Sequence, residues 1–237
     1  MNDKPQPLHM HLDEIRQRLL VCFLFLTLFS VLCFVSMEQL LDFLKRPAGG
    51  ELKQLAVFSP TAAIVSFIKI AGTGGLILSI PVLLYQAWMF ILPALETQSR
   101  KKGLVFIGSG TLLFLAGACA SYFLLLPASL RFLLGIGKND LVFLISLDAY
   151  VSFVLLLILG GAIIFEMPLL AFMLAKVGIL TAEQMLKGWK VAIILILVGA
   201  AFLTPTPDAV NMMLMAAPMF VLYLLSISVA KFAERKR

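Results

Sequence analysis

AYVSFVLLLILGGAIIFEMPLLAFMLA, residues 149–175, holds 27 residues and a single charged side chain, Glu166. At 1.5 Å of rise per residue a helix over this stretch is about 40 Å long, more than the roughly 30 Å of a bilayer's hydrocarbon core demands. A run this long and this apolar is read as a membrane span. Working outward from it, four more runs satisfy the same test: Leu19–Met37, Thr61–Leu92 with Lys69 and Pro81 inside it, Leu104–Leu126, and Ala209–Ala230 with Pro218 inside it. A sixth, between Lys190 and Thr204, has only thirteen residues, about 20 Å of helix.

The composition agrees. Of the 237 residues 61% are apolar and 14% charged, and the mean hydropathy is +1.03. Soluble domains carry about 45–50% apolar and about 25% charged residues, so most of this chain has lipid as its solvent. The expected fold is an all-α integral membrane protein with six transmembrane helices, the last two short or bent. Orientation follows from the basic residues. Lys4, Arg16 and Arg18, Arg100 to Lys102, Lys176, Lys187 and Lys190, and Lys231 with Arg235 to Arg237 make thirteen on one side, against Lys45, Arg46, Lys53, Arg131 and Lys138 on the other. Both termini are therefore expected in the cytoplasm. Residues 1–18 form a cytoplasmic segment, 19–230 the six-helix domain and 231–237 a basic tail. The longest outer segment, Glu38–Pro60 with Pro47, Gly49 and Gly50, is a candidate cap.

Several function classes fall away. The net charge of +6 lies in short runs beside apolar segments, which is an orientation signal rather than a nucleic-acid surface. Cys22, Cys33 and Cys119 lie inside apolar runs with no neighbours at metal-ligand spacing, and His9 and His11 lack further ligands, so no metal and no cofactor is expected. Asp3, Lys4, Pro5 and Pro7 do not make a cleavable signal, and the first span is expected to stay.

Four features carry chemistry. Glu14 and Arg18 stand at i, i+4 before the first span, where orientation asks only for cations. Glu166 lies inside the fourth span, where an ionised side chain costs at least about 2.5–3.5 kcal/mol and must face protein or water. One bland reading has it bonded to backbone freed by Pro168. Gln86 on the second span joins Glu166 as the candidate intramembrane polar site. Lys69, two turns from the outer end of its span, is expected to snorkel outward, and Asp148 to stabilise a helix N-terminus. The short fifth span brings the polar run Thr204 to Asp208 below the outer surface or thins the bilayer around it.

The segments His11 to Leu19, Ser59-Pro60 with Lys69, Pro81 to Leu95, Phe165 to Pro168, Gly178 to Thr181 and Leu203 to Pro205, in that order on six spans, resemble the TatC family of the Sec-independent, twin-arginine translocase. The resemblance implies a receptor that binds twin-arginine signal peptides at the cytoplasmic face. It would work with the single-span proteins TatA and TatB, form a homo-oligomer surrounded by membrane lipid, bind no nucleic acid, and move folded proteins using the proton-motive force. It implies no enzymatic activity. Glu14 matches the family's first signal-peptide carboxylate, with Arg16 and Arg18 beside it. The second departs from the pattern: Ser99 stands where the family has glutamate, and Glu96, three residues earlier, is the substitute. Thr204 and Asp208, with Asn211 as a polar neighbour, match the region that receives partner helices, while Pro47, Phe90 and Pro93 are structural positions. Two competing readings of the residues are a small-solute or ion transporter, from Glu166 and Lys69, and an intramembrane enzyme. The first lacks visible paired halves and the second lacks a nucleophile with a base.

Overall fold

The computed structural model describes residues 8–51, 55–91, 100–135, 144–204 and 208–234. The first crossing belongs to α1 (Leu8–Val35), which begins well before the apolar run, so the segment carrying Glu14 and Arg18 is one helix with the span. A short outer helix, α2 (Met37–Lys45), and a 3-10 turn, Arg46–Glu51, follow. The second crossing is α3 (Pro60–Ile91), and the third is α4 (Arg100–Ala120) continued through a π turn, Ser121–Leu125, into α5 (Leu126–Gly135). The fourth is α6 (Leu147–Ile164) followed by α7 (Met167–Val177). The cytoplasmic α8 (Ala182–Lys187) leads to α9 (Trp189–Leu203) and α10 (Ala209–Glu234).

The core is the fourth crossing, 61% buried over its most apolar window against 6% for the first. This is why residues 149–175 are apolar all round: they face protein on most sides. Val151, Val154 and Ala162 have no exposed surface. α4 and α6 meet backbone to backbone, because a Cβ on Gly117 would lie 2.7 Å from the carbonyl oxygen of Gly161. Ser121, one turn beyond Gly117, continues this seam of small residues.

Prolines set the breaks. Pro168 has no N–H to give Ile164, so the fourth crossing opens at Phe165 and Glu166 and restarts as α7 with the proline in its first turn. Pro127 acts differently. The sequence reading ended the third span at Leu126, but the helix passes the proline because the π turn has already shifted the pairing: Leu126 N–H bonds the carbonyl of Ser121, five residues back.

α9 has 15 residues, about 22 Å of helix, and is as short as the sequence indicates. α10 is not short; its 26 residues suffice to cross, with Pro218 inside it.

At the outer end the cap is tied to the spans. The hydroxyls of Tyr122 and Tyr150 donate to the carbonyls of Phe43 and Leu44, each at 2.7 Å. The rings of Phe43 and Tyr122 stack with centroids 4.3 Å apart. Ala56 and Ser146 form a parallel bridge, through Ala56 N–H to Ile145 and Leu147 N–H to Ala56. Lys69 reaches toward the outer end and meets a carboxylate there. Its ammonium donates to Asp148 at 2.7 Å and Ser152 at 2.9 Å, so Asp148 pairs across to α3 besides standing in the first turn of α6. A carboxylate within reach competes with the interface for a lysine whose stem crosses apolar surface.

Candidate functional site

The cytoplasmic end of the second crossing has a built-in gap. Proline has no N–H, so Pro93 cannot give Met89 its i+4 helical bond, whatever path the chain takes beyond the described residues. Arg18 fills the gap: Nη2 donates to the carbonyl of Met89 at 3.1 Å, and Nη1 to that of Gln86 at 3.4 Å. The same guanidinium holds Glu14, through Nε at 3.2 Å and through Nη2. The side chain of Arg18 is 18% exposed and that of Glu14 is 38% exposed, so the arginine is the partly buried anchor and the carboxylate is the more accessible member of the pair. Arg16 is exposed two residues from each, on another face of α1.

Beside this pair Trp88 is buried against Phe106, ring centroids 5.0 Å apart, in a cluster with Leu169 and Met173 that joins the ends of α3, α4 and α7. Phe90 is exposed, and Pro47 sits in the 3-10 turn at the opposite end. Glu96, Ser99 and Pro93 lie outside the described residues.

Glu166 stands at the break of the fourth crossing. Its backbone carbonyl accepts from Leu170 at 3.0 Å, but its side chain makes no capping bond, so the bland reading of a carboxylate tied to freed backbone does not hold. Its Oε1 is buried with no hydrogen-bond partner among the described residues. Gly110 of α4 makes room for it, since a Cβ there would lie 3.4 Å from Oε2 and closer still to Leu84 and Leu169. The carboxylate therefore looks across the bundle interior. Gln86 does not join it: its carbonyl serves Arg18, and no hydrogen bond links the two side chains. Thr111, next to Gly110, was not singled out by the sequence, yet its Oγ1 is also buried without a partner among the described residues. Its one signal was a hydroxyl inside an apolar span.

At the outer end of α9 the hydroxyl of Thr204 donates back to the carbonyl of Ala200 at 2.8 Å. Asp208 caps α10, accepting from the N–H of Asn211 at 2.7 Å and from its Nδ2 at 2.9 Å. Thr204 and Asn211 are buried, and Asp208 is the most open of the three. At the cytoplasmic end α8 has a capping box between Thr181 and Gln184, and α10 steadies it through Glu234 to Ala182 N–H at 2.6 Å and Tyr223 to the Met185 carbonyl at 2.6 Å. No cluster able to hold a metal occurs among the described residues.

Five helices long and apolar enough to cross a membrane, with the shorter apolar α9, define a multi-pass membrane protein. Residues 10–218 match the family described as TatC, Sec-independent protein translocase protein, and the chain belongs to that family. It is 39% identical over 232 residues to the Sec-independent protein translocase protein TatC of Koribacter versatilis, covering 95% of this chain and 85% of the relative. With the protein of the same name from Aquifex aeolicus it shares 37% identity over 235 residues, 98% and 97% of the two chains. The crystal structure of the twin arginine translocase receptor TatC superposes with a TM-score of 0.84 at 36% identity, covering 94% of this chain and 99% of that one. The protein is thus a multi-pass component of a translocation complex in the inner membrane, and the solute-transporter reading is set aside.

Proposed function

We propose that this chain is the receptor that reads the arginine pair of a twin-arginine signal peptide at the cytoplasmic face, with Glu14 as the principal carboxylate and Glu96 assisting. The observation that carries the reading is the posture of Glu14: a partly buried arginine, itself anchored on the end of α3, holds the carboxylate at the mouth. A carboxylate accepts several hydrogen bonds, and a guanidinium presents a planar fork that matches it, so a fixed acid distinguishes arginine from lysine where a mobile one would not. Arg18 is the positioning residue, and Arg16 adds to the charge pattern of the same mouth. The receptor acts with TatA- and TatB-type single-span proteins in a homo-oligomeric assembly, moving folded proteins outward at the expense of the proton-motive force. Partner helices dock near Thr204, Asp208 and Asn211, where the short α9 ends, and Glu166 meets a partner helix or the transported chain inside the bundle.

Losing one member of a partly desolvated arginine–carboxylate pair costs about 2–5 kcal/mol; for a site near the surface the lower end applies, about thirty-fold in affinity. The test is site-specific crosslinking of an Arg-Arg signal peptide to membranes carrying Glu14→Ala or Glu96→Ala, with span topology checked in parallel. Glu14→Ala loses the crosslinks while inserting normally, and Glu96→Ala shows a weaker form of the same defect. Wild-type crosslinking by Glu14→Ala places the reader elsewhere.

A further inference from the structure

Under α2, between the outer halves of α3, α4 and α6, lies an apolar cavity of about 230 Å³. Leu40 and Phe43 roof it, Ile77 and Leu155 line its depth, and Cys119 and Phe123 stand at its mouth. Both mouth residues are exposed, so the cavity opens sideways to whatever surrounds the spans. The phenol of Tyr122 adds no polar group to the walls, because its hydroxyl already serves the carbonyl of Phe43. Water would find almost no partners there, although the volume holds several molecules at about 30 Å³ each.

A second cavity lies against the first and shares Phe43, Tyr122 and Phe123 with it. It adds Arg46, Pro47 and Pro127. The stacked pair Phe43 and Tyr122 stands where the two cavities meet. Arg46 is exposed at this upper level; its backbone N–H donates to the carbonyl of Phe43, while its guanidinium makes no hydrogen bond or ion pair with any described residue.

A dry apolar slot open to the membrane, continuous with a guanidinium that has no partner among the described residues at the outer interface, matches the two halves of one molecule. We propose that this site holds a single anionic glycerophospholipid of the outer leaflet, with an acyl chain in the lower cavity and the phosphate on Arg46. A guanidinium binds phosphate oxygens bidentately, and a chain that fills the slot restores dispersion contacts that an empty cavity forfeits. The lipid would act as a removable wedge between the cap and the third crossing, remote from the signal-peptide mouth at the other end.

The test uses the full chain in phosphatidylethanolamine vesicles containing phosphatidylglycerol with a photoactivatable group in its acyl chain, and maps the adducts by peptide mass spectrometry. Adducts should concentrate on the peptides containing Phe43 and Cys119. Arg46→Ala should lower them about five-fold, the worth of one cation near an anionic lipid surface, while Arg46→Lys retains them. Cys119→Trp, a change at an exposed position, should block the mouth and remove the adducts from both peptides. An even spread over the exposed faces of α1 and α4, or a yield indifferent to both Arg46→Ala and Cys119→Trp, would mean bulk lipid only and would overturn the proposal. So would labelling of the same peptides by the apolar segment of a photoactivatable signal peptide at the expense of the lipid.

Discussion

The two ends of the bundle are built on opposite terms. At the outer end the cap is closed by bonds within the chain: two tyrosine hydroxyls close on α2 carbonyls, Lys69 closes on Asp148 and Ser152, and a backbone bridge joins Ala56 to Ser146. Two acids, one at mid-bundle and one at the cytoplasmic mouth, stand differently. Arg18 fixes Glu14 yet leaves it the more open of the two, and Glu166 keeps a buried oxygen with no partner among the described residues. A closed network rigidifies, whereas the Glu166 oxygen that lacks a partner among the described residues is one whose bonding a second molecule can complete. On the proposed function, the tyrosine-tied cap is architecture and the Glu14 mouth is where the signal peptide is read.

Breaking the outer network should cost stability first. Asp148→Ala strands the Lys69 ammonium inside a span; with both side chains about two-fifths exposed, a destabilisation of about 2 kcal/mol is expected in denaturant unfolding of the purified protein. The double variant Lys69→Met with Asp148→Leu should recover most of that loss, since an apolar pair removes the stranded charge. If the double variant is no better than the single one, the pair is not the reason for the loss. At Glu166 the expected loss is of transport with stability unchanged. Glu166→Gln keeps a hydrogen-bonding group and should retain most activity, whereas Glu166→Ala should fall about ten-fold in export of a folded reporter. Equal loss in both variants would show that the charge, not the hydrogen bond, is required. The smallest effect is at the cap, where Tyr150→Phe leaves the Leu44 carbonyl buried without its donor, for about 1 kcal/mol of stability and no change in signal-peptide crosslinking. A crosslinking defect there would break the division between the ends.

Much of this was legible in the sequence because hydropathy is a local property. Residues 149–175 give the central crossing, and the interval from Lys190 to Thr204 gives the short fifth one. The Glu14 and Arg18 pair follows from i, i+4 spacing alone. What escaped depends on neighbours distant in the chain. Lys69 finds Asp148 across 79 positions, and no window along α3 contains that acid. Arg18 reaches carbonyls 68 and 71 residues away, although Pro93 already announced that one of them would lack its helical donor. The boundary at Leu126 failed for a subtler reason: proline stops an α-helix, but not one whose hydrogen bonds have already slipped by one position.

That slip has a genetic meaning. A π turn is an α-helix carrying one surplus residue, so Ser121–Leu125 behaves as a single-codon insertion kept within the third crossing. Each residue of an α-helix advances the azimuth by about 100°, and removing the surplus would turn everything beyond it by that angle. Leu130 and Leu134, now buried, would swing off the face they cover, and Pro127 would leave the mouth it shares with Arg46. The length of this segment, counted in codons, is therefore what aims the outer third of the helix at the cap.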